Sequence, residues 1–192
     1  MPVATDPAGA RRILVYGVTG SGKSIAAKRV AAQTGLPLTL VDELTWQPGW
    51  VPVAEDRQRE MFKRVVAMDS WILDTAYGAW LDVVLPRVEL IVALDYPRWF
   101  SLQRLVRRTL TRSIDKRLVC NGNTESLRGL YGRDSILRWH FRSFARKRER
   151  IRQWAEDPDG PPVLIVKRAR ELEGWMGRFT RLTRPDTEVH KR

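Results

Sequence analysis

Two histidines and a single cysteine, Cys120, stand in a chain of 192 residues. One thiol cannot close an internal disulfide, which fits a reducing compartment. With histidine and cysteine this sparse and this far apart, no transition-metal centre is expected. Long apolar runs are missing too. The longest are strand-sized, so no segment is expected to cross a bilayer. The opening MPVATDPAGA has no basic stretch followed by an apolar one. A secretion signal is therefore not expected, and the chain is read as cytoplasmic. Internal repeats are absent, as is any Asn-Lys-x-Asp segment of the kind that reads guanine, which argues against a GTPase.

What is present is an ordinary globular composition, 43% hydrophobic and 29% charged, of a length that suits one domain with a small inserted lid. The net charge of +12 is unevenly spread. Between Arg104 and Trp154 there are 15 Lys or Arg against 4 Asp or Glu, which leaves the remainder near neutral. Such a concentrated positive field attracts polyanions: a nucleotide triphosphate, a nucleic acid or an acidic surface.

Along the chain, apolar runs at 12–17, 36–42, 70–74, 88–95 and 163–167 read as strands. Helical patterns fall at 22–34, 54–68 (apolar face Met61, Val65, Met68), 98–110 and 134–155, with a last one over ARELEGWMGRF. ELTWQPGWVPV reads as a loop and YGAWLDVVLPR as a short helix or turn; 112–133 is a polar excursion and the tail 184–192 is polar. Five strands separated by helices imply an α/β fold with a parallel sheet covered on both faces. Ligands bind such sheets beyond the carboxyl ends of the strands, where Gly17, Asp42, Asp74 and Asp95 are expected.

Residues 17 to 24 read GVTGSGKS. Gly17, Gly22, Lys23 and Ser24 fill the pattern Gly-x4-Gly-Lys-Ser, which a chain of this length matches by chance roughly half a per cent of the time. The physics behind the pattern is specific. Glycines let the backbone curl so that its N–H groups converge on phosphate oxygens, and the following helix turns its positive end to the same anion. Gly17, Thr19, Gly20, Ser21, Gly22, Lys23, Ser24 and Ile25 are therefore expected to hold ATP. Lys23 would reach the β- and γ-phosphates, and the Ser24 hydroxyl would ligate Mg²⁺. Asp74, closing the third strand, is expected to support that metal, whereas Asp95, before Tyr-Pro, is read as a helix cap.

GVTGSGKS, VDELTWQPGW, SWILDTAYGAWLD and LDYPRWFSLQRLVRR together resemble the adenylate-kinase-like P-loop proteins, in particular a subgroup named DNA topology modulation proteins. The resemblance covers most of the chain, from about Arg12 to the final strand. It implies a P-loop NTPase three-layer sandwich with strand order 2-3-1-4-5 and a basic helical lid over about 108–142, all within one domain spanning 1–183. It also implies that Arg104 stacks on the ATP base and Arg108 approaches the phosphates. Arg133, Arg138 and Arg142 are candidates to neutralise the transferring phosphoryl group, with Arg138 preferred. One departure is clear: adenylate kinases follow the third strand's Asp with Gly-Phe-Pro-Arg, and here Asp74-Thr-Ala-Tyr-Gly-Ala-Trp brings no arginine before Arg87.

The acceptor of the phosphoryl group should dock over residues 43–88. That section holds five Lys or Arg against seven Asp or Glu, so it does not advertise a strongly anionic acceptor. Trp71 is expected in the core; Trp46 and Trp50 either stack on a base or sugar or fold onto the 54–68 helix. Asp42, with Glu43 as its understudy, is the expected proton acceptor for a substrate hydroxyl. These readings predict an ATP-dependent kinase of a nucleoside, nucleotide or sugar-like metabolite. The alternative is a nucleotide-binding regulator associated with DNA, in which Trp139, Phe141 and Phe144 stack on bases. Nucleic acid is a secondary partner on this reading, and no membrane partner is expected.

Overall fold

The computed structural model describes residues 9–115, 118–124 and 135–182. Five parallel strands form the central sheet: β1 (Arg12–Gly17), β2 (Leu38–Thr39), β5 (Trp71–Leu73), β6 (Leu90–Leu94) and β9 (Val163–Val166). Their order is β2-β5-β1-β6-β9, the expected 2-3-1-4-5. The register Leu14↔Leu73 and Leu14↔Ile91 aligns the strand ends, so β1 finishes centrally at Gly17.

Side-chain alternation along β1 sorts the two cores. Ile13 and Val15 pack with Ala26, Ala27 and Val30 of α1 (Lys23–Thr34) and with Leu172, Trp175 and Met176 of α7 (Ala169–Leu182). Leu14 and Tyr16 face the other way, onto α3 (Glu55–Val66), α4 (Leu81–Val84) and the C-terminal part of α6 (Ile136–Glu156). The result is helix, sheet, helix, each layer hydrophobic where it meets the next. α5 (Arg98–Ile114) leaves the sheet after β6 and crosses above the β1–α1 loop.

Four local expectations need correction. The second strand stops at Thr39 because the Val41 amide donates to Asp74 Oδ1 at 2.8 Å instead of to a ladder partner. Asp42 therefore lies in the first turn of α2 (Val41–Thr45) rather than at a strand end. The segment read as a loop contains α2 and an antiparallel ribbon, β3 (Trp46–Gln47) with β4 (Val51–Pro52), closed by a Pro48–Trp50 turn. The fully buried face of α3 is Gln58, Phe62 and Val66, with Val65 at its edge and Met68 exposed; Phe62 stacks on Trp80 at 5.1 Å. Asp95 does not cap α5, whose N-cap is Pro97; both its oxygens accept from Arg148, at 2.6 and 3.0 Å.

Of the excursion at 112–133, residues 118–124 form a hairpin, β7 (Leu118–Val119) with β8 (Asn123–Thr124). Arg133 and the tail 184–192 lie outside the described residues.

Candidate active site

The loop from Val18 to Gly22 carries the chain from the centre of the sheet into α1. Gly20 and Gly22 have φ of 82° and 90°, a region that strains any residue with a Cβ. Space is closed there as well. A Cβ on Gly20 would strike the Ser101 carbonyl of α5, and one on Gly22 would come within 2.6 Å of Arg104 Nη2. α1 has no side-chain N-cap and no acid in its first turn, so its leading N–H groups and positive dipole end are open to an anion. Ser21 Oγ is buried in the same loop without a hydrogen-bond partner among the described residues.

Lys23 folds back over this nest, Nζ donating to the Val18 carbonyl at 3.2 Å. Burial lowers its pKa; the Asp74 and Asp42 carboxylates counteract that and Arg108 reinforces it. Beside it, Ser24 Oγ donates to Asp74 Oδ2 at 2.6 Å. Asp74 is 3% exposed, and burial pushes its pKa up against the pull of the Ser24 and Val41 hydrogen bonds. No cluster of three or more His, Cys, Asp or Glu suited to holding a metal occurs among the described residues. A hydroxyl locked to a carboxylate next to an anion nest instead fits Mg²⁺, which binds through few protein ligands, phosphate oxygens and water.

Asp42 is exposed on the same side of the sheet, and Oδ1 accepts from the Tyr77 hydroxyl. Burial and the Asp42 charge raise the Tyr77 pKa, so the phenol stays protonated and remains a donor. The 118–124 hairpin lies against this side of the site. Cys120 Sγ donates to the Asp42 carbonyl at 3.0 Å, and Asn121 Nδ2 to the Glu43 and Trp46 carbonyls at 2.8 and 2.7 Å. Trp46 and Trp50 meet edge to face at 5.9 Å, and Trp50 Nε1 donates to the Thr124 carbonyl at 3.0 Å. These two tryptophans thus pack on each other and fasten the hairpin, rather than lying on α3.

The residues expected at the nucleotide come together in part. Gly17, Thr19, Gly20, Ser21, Gly22, Lys23, Ser24 and Asp74 are contiguous, with Arg104 over the loop and Arg108 within electrostatic reach of Lys23. The Ile25 side chain is 59% exposed, leaving only its amide to serve the nest. Arg138 and Arg142 have exposed side chains on α6, away from the buried face. What α6 turns inward was not anticipated. His140, fully buried, places Nδ1 2.9 Å from the Thr19 carbonyl. A carbonyl only accepts, so Nδ1 carries the proton and Nε2 is bare. Burial lowers the His140 pKa and keeps this ring neutral. Lys147, seven residues on, is pushed down to about 7 by burial and then by Lys23 and Arg146, with Asp42 opposing. The signal was available: 140, 144, 147 and 151 share one helical face with the buried Phe144 and Ile151.

Loop, lysine and sheet topology together make a three-layer α/β fold with a Gly-x4-Gly-Lys-Ser loop between its central strand and first helix. Residues 13–74, β1 through Asp74, match a family model described as ATPase family associated with various cellular activities (AAA). Comparison with curated proteins finds no match. Among solved structures, the chain is similar to shikimate kinase from Bacteroides thetaiotaomicron at TM-score 0.53 and 14% identity, over 91% of this chain and 98% of that one. A gluconokinase from Sinorhizobium meliloti 1021 matches at 0.51 and 18%, over 90% and 93%. Deoxyadenosine kinase from M. mycoides matches at 0.51 and 13%, over 88% and 97%. At these identities the likeness is one of fold.

Proposed function

We propose that the protein binds magnesium ATP in the 17–24 nest and transfers its γ-phosphoryl group to a hydroxyl of a small molecule docked beside Asp42. The observation that carries this is the Ser24–Asp74 hydrogen bond of 2.6 Å, set against an uncapped helix N-terminus and a lysine whose one hydrogen bond among the described residues goes to a neutral carbonyl. Arriving phosphates give Lys23 the counter-charge that the Val18 carbonyl cannot. Mg²⁺, held by Ser24 with Asp74 behind it, would neutralise charge on the β- and γ-phosphates. Asp42 orients the acceptor hydroxyl and takes its proton as the new O–P bond forms; the bond to the β-phosphate oxygen breaks and ADP leaves. Arg104 and Arg108 hold the nucleotide from above. The likeness in fold to a gluconokinase, a shikimate kinase and a deoxyadenosine kinase supports a small-molecule acceptor, and the missing arginine after Asp74 argues against an adenylate-kinase-type monophosphate clamp.

Calorimetry with magnesium ATP and a coupled ADP-release assay test the reading. Lys23→Ala should remove nucleotide binding and turnover while leaving the circular dichroism spectrum unchanged. Full activity in that variant refutes the proposal.

A second reading has its own observation. Trp139 and Phe141 are 44% and 51% exposed on a helix rich in arginine, which favours an additional nucleic-acid contact. The resemblance to proteins named for DNA topology modulation supports it. Such binding should fall steeply with salt and survive Lys23→Ala.

A further inference from the structure

α6 carries four cations over 147–152 that face the body of the protein or a neighbour on the helix, and they fall into two kinds. Arg148 is paired with Asp95 and Arg152 with Glu149. Lys147 and Arg150 form no ion pair among the described residues. Yet both are half-buried. Arg150 Nη1 donates to the Tyr16 hydroxyl at 3.4 Å and lies 3.9 Å from where a Gly78 side chain would begin. Lys147, one turn before Arg150 on the same helix, is within electrostatic reach of Lys23 and Asp42.

This placement separates their work from that of the nucleotide cations. Lys23, Arg104 and Arg108 surround the loop that follows β1. Tyr16 precedes that loop, and Gly78 belongs to the segment after β5, which is the acceptor side. Arg150 Nη1 comes to ordinary contact distance of that segment. Half-buried cations that are not spent on an ion pair are suited to an anion, and two of them stand one turn apart here. The planar guanidinium also grips a carboxylate or phosphate by two parallel hydrogen bonds.

We propose that the acceptor is an anionic hydroxy compound, its hydroxyl at Asp42 and its carboxylate or phosphate group held between Lys147 and Arg150. This rests on the phosphotransfer reading above and narrows its substrate class. It also revises the expectation from residues 43–88, whose balance of charge gave no hint of an anionic acceptor. The recognising cations come from α6, outside that section.

The experiment is a coupled ADP-release assay on matched pairs that differ in one charged group. Glycerate against glycerol and gluconate against glucitol test the carboxylate; ribose 5-phosphate against ribose and adenosine monophosphate against adenosine test the phosphate. The expected result is a kcat/KM at least about a hundredfold higher for the anionic member of one pair. With that acceptor, Arg150→Gln and Lys147→Gln should each raise KM about tenfold or more, and leave the KM for ATP within about twofold. A second readout needs no variant. Bound anion raises the Lys147 pKa against the opposing charges of Lys23, Arg146 and Arg150 and alongside Asp42. Binding near pH 7.5 should then take up a fraction of a proton, measured by calorimetry in buffers of different ionisation enthalpy. Neutral members used as well as or better than their anionic partners would overturn the inference and leave the kinase standing. So would an unchanged acceptor KM in both variants. No turnover with any hydroxyl compound, charged or neutral, would remove the phosphotransfer reading itself, and this inference with it.

Discussion

At the scale of single residues, the site is held by groups that sequence patterns rank low. His140 is the sharpest case. Anchoring the Thr19 carbonyl to Nδ1 fixes the Thr19–Gly20 peptide, and because a trans peptide points its C=O and N–H in opposite directions, the Gly20 amide turns away from His140 and toward the nest. Protonation would put a charge on a buried ring that already faces Arg98 and Lys147. The folded pKa lies below the unfolded value of 6.5, so the unfolded chain binds more protons in that window. Stability should be full above about pH 6.5 and decline as pH falls, and His140→Leu should flatten this decline in melts taken at successive pH values. Asp42→Asn tests the proposed base. With it, kcat should drop about 10²- to 10⁴-fold while ATP affinity measured by calorimetry stays put.

At the scale of elements, the strongly patterned parts were legible and the weakly patterned ones were not. GVTGSGKS between a β-rich run and a helix was legible as the loop that joins the central strand to α1. α3 was legible as a helix but its buried face was set one residue off, because Met61, Val65 and Met68 compete with Phe62 and Val66 about 100° away and only packing decides. Asp42 was expected at a strand end because LPLTLVD looks continuous; the carboxylate that breaks it, Asp74, is 33 residues from the amide it claims. Long-range capture of this kind leaves no local trace. The same is true of Asp95, whose partner Arg148 is 53 residues away. That bidentate pair ties α6 to the end of β6. Asp95→Ala should cost about 1.5–3 kcal/mol in denaturant unfolding, and a double-mutant cycle with Arg148→Ala should recover most of it as coupling.

At the scale of the whole molecule, charge and core are segregated. Two apolar layers flank the sheet, and the excess positive charge lies in the stretch of sequence from Arg104 to Trp154. No described helix is long and apolar enough to cross a membrane. Phe62, fully buried against Trp80, is the test of the second layer: Phe62→Ala should lower the unfolding free energy by about 3–5 kcal/mol.

The hairpin against the acceptor side has a practical consequence, because the chain's one cysteine sits at its tip. Docked against the Asp42 carbonyl, the Cys120 thiol is pushed up to about 11 by burial and by the neighbouring Asp42, Glu43 and Asp74 carboxylates. Only the thiolate reacts with an alkylating reagent. Maleimide labelling of the unaltered protein should therefore run slowly while the tip is seated and speed up when it departs. Its rate is a built-in clock for the opening of the acceptor side, with no second thiol to blur the count.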